Sequence, residues 1–435
     1  MSIEILSLLL FCGLLLGLIL GLPIAFVMGG VGILGTWFLW GTNALLMPVI
    51  ETYGWMTNLT IAAVPLYIFM GILLERSGIA EDLFEMMYRW AGSLKGGLAI
   101  GVVIICTIFA AMTGVTAAST ITMGLIALPA MLNRNYNKHI AIGSIASSGT
   151  LAILIPPSVM MVIFGMVSQT SVGRLYAAGV FSGFFLSLLL MGYIIIRAHI
   201  QPQNCPAIQI RYTFRQKIKS LTAVILPLLL IFAVVGTIFA GIATPTEAAA
   251  VGALGTLICV LIYKRFTWQL LKDACYTTFK VSSMVSWIII GSTTFIRVYT
   301  AIGAPKLIQD AVAGWELNRW LIIAIMMIIL FFLGMFLDPG GVIMLAAPIF
   351  TPIVILLDFD LTWFGVLFML NLQMGYLSPP FGMNLFYMRS IAPEGITMKD
   401  IYHAVLPFLG IMILGMIVIM VFPQIALWLP SIIGK

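Results

Sequence analysis

Long apolar runs, separated by charged residues, glycine and proline, occupy most of the chain. An α-helix rises 1.5 Å per residue, so about 20 apolar residues cross the hydrocarbon core of a bilayer. Ten runs are interpreted as complete crossings, and each predicts a transmembrane helix. They lie near residues 3–21, 24–40, 60–75, 139–168, 174–197, 218–240, 246–263, 281–300, 363–390 and 402–430.

Two regions depart from this pattern because each contains a pair of short apolar runs. In the first region, the uncharged runs 98–112 and 117–132 flank a polar, helix-breaking tip at 113–116. Runs of this length extend only about 22–24 Å, which is short of a core about 30 Å thick. The same design recurs at 320–334 and 341–357. We therefore predict two re-entrant helical hairpins, each of which enters and leaves the membrane on one face.

Basic residues predict an orientation, because Lys and Arg accumulate in cytoplasmic loops. With the N-terminus outside, 16 of the 21 basic residues fall inside and five fall outside. The opposite orientation would reverse that ratio. The first hairpin then opens toward the cytoplasm and the second toward the outside, and the polar stretch 201–217 is a cytoplasmic linker between them.

The composition agrees with an integral membrane protein. Hydrophobic residues make up 62% of the chain, charged residues 8%, and the mean hydropathy is +1.15. Ordinary soluble domains are about one quarter charged. Disordered, collagen-like and disulfide-scaffold classes are excluded, and no basic stripe with interleaved aromatic residues indicates a nucleic-acid partner.

The two halves of the chain repeat one order of elements: three helices, a short surface helix, a hairpin, a broken helix and a last helix. Pro129 and Pro348 end the two hairpins, and tandem prolines at 156–157 and 379–380 interrupt the helices that follow. Five complete crossings per half make the halves oppositely oriented, which is typical of secondary transporters. The predicted units are a first inverted repeat at 1–200 (hairpin 98–132, broken helix 139–168), the linker 201–217, and a second inverted repeat at 218–435 (hairpin 320–357, broken helix 363–390), with surface helices at 80–93 and 304–313.

The tandem prolines indicate where ions could bind. Proline lacks an N–H donor, so a proline pair frees backbone carbonyls, here around 152–155. Thr113 and Thr116 at the first hairpin tip would face these carbonyls, and oxygen ligands without carboxylates suit a monovalent cation. At the second break, Gly334 and the tip with Asp338 would face the proline pair. The alternative is a simple kink whose carbonyls are satisfied by neighbouring helices. Because the arrangement occurs twice in equivalent positions, binding sites are favoured over a kink. Helix N-termini at the hairpin tips would also suit an anionic substrate.

Isolated charges allow two interpretations each. Asp338 lies at hairpin depth, where an ionisable group is functional by default, but it could also cap the helix that follows. Glu247 follows Pro245 and is interpreted as a first-turn acid. Arg297 either reaches the interface along its apolar stem or draws in anions. No catalytic triad, metal signature, Walker loop or dinucleotide-binding motif occurs, so no enzyme activity is predicted.

Several motifs occur in order along the chain: Gly21–Ala25, Pro65–Gly71, Gly149–Ser158, Ala243–Ala250, Pro348–Pro352 and Gly375–Asn384. Together they resemble the large membrane subunit of tripartite ATP-independent periplasmic (TRAP) transporters, over nearly the whole chain. The resemblance implies an all-α polytopic membrane protein of the elevator-type ion-transporter-like fold, in which residues 98–170 and 318–390 move as one body against a scaffold formed by the rest.

The resemblance also implies site residues. One sodium site would use Thr113 and Thr116 with the backbone of Ala152, Ile155 and Pro157. The other would use Gly334, Gly375, Ser378 and Phe381. Members often have glycine in place of Ala152 and serine in place of the two threonines, and the carbonyl and hydroxyl ligands survive these changes. The candidate substrate or ion region comprises Gly114, Ser148, Gly149, Thr150, Asp338, Pro379 and Asn384.

The function that follows is sodium-coupled import of a small organic anion, such as a C4-dicarboxylate, a 2-oxo acid or a sugar acid, across the bacterial inner membrane. The implied partners are a small four-helix membrane subunit and a periplasmic substrate-binding protein; sodium ions are the coupling ions and no other cofactor is expected. A single-component sodium/carboxylate symporter of related fold is the alternative. An intramembrane enzyme and a passive anion channel are more distant alternatives, and dependence of flux on external sodium would separate the channel from both symporters.

Overall fold

The computed structural model describes residues 2–91, 94–207, 212–314 and 317–433, and these residues form helices and short connections without a β-strand. The first half contains α1 (Ile3–Ile19), α2 (Ile24–Trp40), α3 (Leu46–Met56), α4 (Ala63–Arg76), α5 (Ile79–Ala91), α6 (Gly97–Thr113), α7 (Thr116–Leu132), α8 (Lys138–Gly149), α9 (Val159–Ser168) and α10 (Val172–Ile200). The second half contains α11 (Phe214–Ser220), α12 (Thr222–Phe239), α13 (Pro245–Ile262), α14 (Trp268–Ala301), α15 (Ala304–Ala313), α16 (Arg319–Phe336), α17 (Pro339–Leu356), α18 (Leu361–Tyr376), α19 (Met383–Ile391), α20 (Met398–Val421) and α21 (Gln424–Ile433).

Both predicted hairpins are present, as α6–α7 and α16–α17. Both predicted broken helices are also present, as α8–α9 and α18–α19. Among the described residues, seven helical segments are long and apolar enough to cross a membrane, or eight if the bent pair α11–α12 counts as one. The chain is therefore a multi-pass, all-α membrane protein with hairpins and interrupted helices in both halves.

The ion pairs lie at the two ends of the molecule. Four of them lie at the end that carries the linker, which we call the linker face: Arg76–Asp273, Arg89–Glu85, Lys138–Asp400 and Arg265–Asp82. Two lie at the opposite face: Arg174–Asp360 and Arg297–Glu51. Each pair joins two residues that the charge-based topology assigns to the same side. Helix α6 begins and α7 ends at the linker face, whereas α16 begins and α17 ends at the opposite face. The two hairpins therefore enter from opposite sides.

The broken helices form the centre of the molecule. Every residue from Ile140 to Gly149 is buried, and so is every residue from Thr362 to Tyr376. Around them pack α6, α7, α10 and α20, while α16 covers the other side of α18. Complete burial explains why these segments show no amphipathic period: they have no face turned to lipid or water.

The structure differs from the prediction in four places. Helix α14 begins at Trp268 and not near 281, because its first turns are polar and extend beyond the apolar run. The predicted helix 402–430 is two helices, α20 and α21, interrupted at Phe422 and Pro423. Helix α3 was not predicted. Helix α11 lies partly within the predicted linker, and residues 208–211 of that linker and 92–93 of the predicted surface helix lie outside the described residues.

Candidate functional site

The first helix break extends from the end of α8 to the start of α9. A short 3-10 turn at Thr150–Ile153 follows α8, and the peptide bond between Pro156 and Pro157 is cis. Ser158 then caps α9: its hydroxyl donates to the Ile153 carbonyl at 2.7 Å and accepts from the Met161 N–H at 3.4 Å. The break is thus a buried, hydrogen-bonded loop and not a bend in a continuous helix.

The tip of the first hairpin touches this break. Gly114 adopts a left-handed conformation with φ of 60°, and a Cβ there would collide with the Pro157 carbonyl oxygen. Only glycine therefore lets the tip approach so closely. Thr113 donates its hydroxyl hydrogen to the Phe109 carbonyl at 3.0 Å, and its oxygen lies 3.4 Å from the Ser119 hydroxyl. A hydroxyl oxygen has two lone pairs, so this oxygen can accept a hydrogen bond from Ser119 and still offer one lone pair to a cation.

The remaining residues predicted for the first sodium site lie in the same buried region. Thr116 begins α7 and is 7% exposed, and Ala152 and Ile155 are buried in the break. The 3-10 turn that contains Ala152 packs against both α6 and α7. The structure therefore brings Gly114 and Pro157 into direct contact and puts Thr113, Thr116 and Ala152 on elements that pack together.

The second break repeats this construction. Gly375 of α18 lies against Gly334 of α16, and a Cβ on Gly375 would be 2.7 Å from the Gly334 Cα. Ser378 is completely buried and donates its hydroxyl to the Met374 carbonyl at 2.7 Å. The Gly382 N–H closes the loop by donating to the Ser378 carbonyl at 2.9 Å. The peptide bond between Pro379 and Pro380 is also cis.

Phe381 contributes differently from the other predicted members of the second site. Its side chain is 53% exposed, and its ring packs against Phe336 of the second hairpin at 5.7 Å. The ring points away from the buried centre, so only its backbone carbonyl could serve as a ligand.

Asp338 caps α17, since its carboxylate accepts a hydrogen bond from the Gly341 N–H at 3.2 Å. It also lines a small cavity of about 30 Å³, together with Met284 and Val285 of α14. The hydrogen bond from the Gly341 N–H thus supports the capping interpretation of Asp338. A larger cavity, of about 240 Å³, lies between the start of α4 and α14 and contains none of the predicted site residues.

The two other isolated charges have polar partners near the opposite face. Glu247 accepts hydrogen bonds from the backbone N–H and the hydroxyl of Thr244, both at 2.8 Å, and so completes a capping box at the start of α13. Arg297 pairs with Glu51 of α3 at 3.3 Å. Sequence reasoning could not find this partner, because α3 was not predicted.

A polar contact joins the two repeats at the centre. The Asn384 amide at the start of α19 donates to the Ala146 carbonyl of α8 at 2.8 Å, while its own oxygen has no partner among the described residues. Gly149, farther along α8, lies directly against the Thr120 hydroxyl of α7. Of the neighbouring predicted residues, Ser148 donates to the Ser144 carbonyl and Thr150 to the Ser147 carbonyl.

Sequence reasoning missed three residues of this central region. Thr120, Ser147 and Gln373 are completely buried, and each has side-chain polar atoms without a partner among the described residues. For Gln373 both the amide nitrogen and the amide oxygen are unpartnered. A glutamine in the middle of an apolar helix was a usable signal, since polar residues at such depth are usually functional. The two hydroxyl residues carried no comparable signal.

The fully buried part of the centre is polar but uncharged, and the half-buried carboxylate of Asp338 lies at its edge, at the start of α17. Its buried polar side chains are serine, threonine, asparagine and glutamine, and the buried residues among those described include no Asp, Glu, Lys or Arg. Neutral oxygens in a region closed to water can replace the hydration shell of a small cation. An anion at the same place would need a bound cation or a helix N-terminus to balance its charge.

Comparison with known proteins agrees with this architecture. The sequence model of the family described as "Tripartite ATP-independent periplasmic transporter, DctM component" matches residues 11–425. The C4-dicarboxylate TRAP transporter large permease protein DctM of Pseudomonas aeruginosa is 32% identical over 378 residues, covering 86% of this chain and 87% of the relative. The sialic acid TRAP transporter large permease protein SiaM of Vibrio cholerae is 30% identical over 385 residues, covering 88% of each.

Solved structures show the same fold at low identity. The YdaH transporter of Alcanivorax borkumensis, described as having an unusual topology, superimposes with a TM-score of 0.62 at 13% identity over 98% of both chains. MtrF of Neisseria gonorrhoeae superimposes with a TM-score of 0.60 at 11% identity, over 90% of this chain and 85% of its own. At such identity the likeness concerns the arrangement of helices alone.

Proposed function

Because the chain belongs to the family of tripartite ATP-independent periplasmic transporters, as its DctM component, we propose that it couples the import of a small organic anion to the entry of sodium ions. Proteins of this family are permease subunits and not enzymes. The specific proposals are the coupling ion, the substrate class, the moving body and the partners.

The observation that carries the proposal is a close contact between a hairpin and a broken helix in each half of the chain. In the first, Gly114 meets Pro157; in the second, Gly334 meets Gly375. The first contact joins the hairpin tip to the loop of the break, and the second joins the last turns of α16 and α18, next to the second tip and the second break. Sodium bound between them would order both the tip and the break. A substrate that prefers the same tip conformation would then bind cooperatively with the ions, which is how coupling arises.

The substrate class follows from the charge of the centre. A carboxylate there meets no buried cationic side chain among the described residues, so bound sodium and the N-termini of α7 and α19 would balance its charge. Two relatives carry names that specify C4-dicarboxylates and sialic acid, both of which are carboxylates. This supports a small carboxylate as the substrate here.

The moving body would include more helices than residues 98–170 and 318–390. Helix α20 packs closely on α8, and α10 packs on α6, α18 and α20. We therefore extend the body to α10 and α20 and leave α1–α4 and α12–α14 as the scaffold. Elevator movement would carry the two breaks and both hairpins together.

The partners and the membrane are proposed from the family. A small membrane subunit would cover lipid-facing helices of the scaffold, and a periplasmic binding protein would deliver the substrate in the inner membrane of a bacterium. In one relative, the isethionate permease DctMQ of Oleidesulfovibrio alaskensis, this chain covers 64% of the longer protein. A single-component symporter is the second candidate, and uptake by the reconstituted chain without any binding protein would support it.

Replacement of Ser378 by leucine tests sodium coupling. Leucine would crowd the completely buried second break and remove the hydroxyl, so sodium-dependent uptake should fall at least tenfold, to the level measured in choline buffer. Ser390 provides the control, because it also donates its hydroxyl to its own helix, at 2.8 Å, but is exposed at the far end of α19. Ser390→Leu should keep normal uptake; equal uptake by Ser378→Leu would reject the second site.

A further inference from the structure

Helix α11 has a lipid-binding pattern that transport does not explain. Phe214, Ile218 and Leu221 recur at helical spacing and lie on one side, where 71%, 50% and 38% of their surfaces are exposed. Basic residues flank this apolar stripe: Arg215, Lys217 and Lys219. Among the described residues, none of these three has an acidic side chain within ion-pair distance.

The position of α11 puts this stripe at the membrane boundary. Only Leu221 separates it from α12, an apolar helix that enters the membrane, and the two axes differ by 43°. The helix also lies on the linker face, because it packs on α5, where Trp90 donates its indole N–H to the Lys217 carbonyl at 3.0 Å. The Lys217 ammonium lies 5.9 Å from the centre of the Trp90 ring. Helix α11 is therefore held in place beside the bilayer and not free in solution.

We propose that α11 is an interfacial anchor that binds anionic phospholipid headgroups on the linker face. Its apolar stripe would enter the boundary between headgroups and acyl chains, while the three basic side chains reach the phosphates. Juxtamembrane basic residues gain binding energy from an anionic leaflet, and this gain falls as salt screens the surface. Charge complementarity selects lipid over a protein groove, since three cations without an acidic partner among the described residues surround the apolar stripe.

Membrane depth measurements on the full-length protein test the proposal. A nitroxide would be attached at Ile218→Cys in a variant whose exposed Cys12 and Cys275 are replaced by serine. The protein would be reconstituted in phosphatidylcholine vesicles with increasing phosphatidylglycerol. Collision rates with oxygen and with a water-soluble nickel chelate report the depth of the label. The label should move deeper as phosphatidylglycerol increases, and about 1 M salt should reverse the shift.

Charge variants connect this shift to α11. Each of Arg215→Gln, Lys217→Gln and Lys219→Gln should raise the phosphatidylglycerol fraction at half of the shift, and the triple variant should lose the shift. The matched control removes three exposed lysines of the same face through Lys264→Gln, Lys272→Gln and Lys280→Gln, and should leave the shift unchanged. Equal depth of the label with and without phosphatidylglycerol, or an unchanged shift in the variant with all three α11 replacements, would overturn the proposal. A label shielded from both collision partners in every vesicle would also overturn it, because a protein surface would then cover the stripe.

Discussion

At the scale of single residues, the centre of the molecule contains several neutral polar atoms that have no partner among the described residues. An unpaired buried polar atom costs about 1–3 kcal/mol, so natural proteins keep few of them. In this chain Thr120, Ser147, Asn384 and Gln373 carry such atoms near the two breaks. Thr120 and Ser147 lie beside the first break, and Gln373 and Asn384 lie beside the second, where a bound ion or substrate would satisfy them.

Gln373 allows the sharpest test of this explanation. Gln373→Met keeps the side-chain volume but removes both unpaired polar atoms, so the protein should become more stable by about 1–3 kcal/mol. Uptake should fall several-fold, because the group that a ligand would satisfy is gone. A thermal melt in detergent and an uptake assay measure the two effects.

The control for this variant is Gln269→Met. Gln269 is exposed at the start of α14, and its replacement should change stability by less than about 0.5 kcal/mol and leave uptake normal. Lower stability of Gln373→Met together with normal uptake would show that the glutamine has a purely structural role.

At the scale of elements, the sequence predicted what depends on length and local composition. The first hairpin was found because its two apolar runs were too short to cross and flanked a helix-breaking tip. In the second, α16 and α17 have 18 residues each and are long enough to cross, so the length estimate was wrong there and only the helix-breaking tip indicated the hairpin. The breaks were found because tandem prolines cannot continue a helix. Glu247 was correctly interpreted as a first-turn acid, because the capping box lies within four residues.

What the sequence could not predict depends on contacts between distant segments. The approach of Gly334 to Gly375 and the hydrogen bond from Asn384 to Ala146 join residues far apart in the chain. Only the packing of α8, α16, α18 and α19 determines these neighbours. The start of α14 was missed for another reason: its polar first turns extend beyond the apolar run that marked the helix.

The tip of the first hairpin gives an element-scale prediction with a matched control. Gly114 and Gly241 both have positive φ, of 60° and 68°, so alanine costs roughly 1–2 kcal/mol of backbone strain at either position. A Cβ at Gly114 also collides with the Pro157 carbonyl, whereas a Cβ at Gly241 meets nothing within 4 Å. Uptake should therefore be lost in Gly114→Ala and kept in Gly241→Ala. Similar uptake by the two variants would mean that the tip does not need to touch the break.

At the scale of the whole molecule, α4, which we propose as part of the scaffold, packs closely against the first hairpin in this conformation. On α4, a Cβ at Gly71 would lie 2.5 Å from the Thr113 carbonyl oxygen at the hairpin tip. One turn farther along, the Thr122 hydroxyl of α7 donates to the Glu75 carboxylate at 3.3 Å. In an elevator mechanism these contacts must break in every cycle, since α4 stays fixed while α7 moves.

A cleavable cross-link tests this requirement. With Cys12 and Cys275 replaced by serine, Glu75→Cys and Thr122→Cys would be joined by a bifunctional methanethiosulfonate reagent. Linking the scaffold to the hairpin should stop uptake, and dithiothreitol should restore it. The control pair, Lys138→Cys and Asp400→Cys, replaces an ion pair of 2.7 Å between α8 and α20. Because both helices belong to the proposed moving body, that link should leave uptake intact. Inhibition by the control link would assign α20 to the scaffold, and normal uptake with the first link formed would exclude movement of the first hairpin past α4.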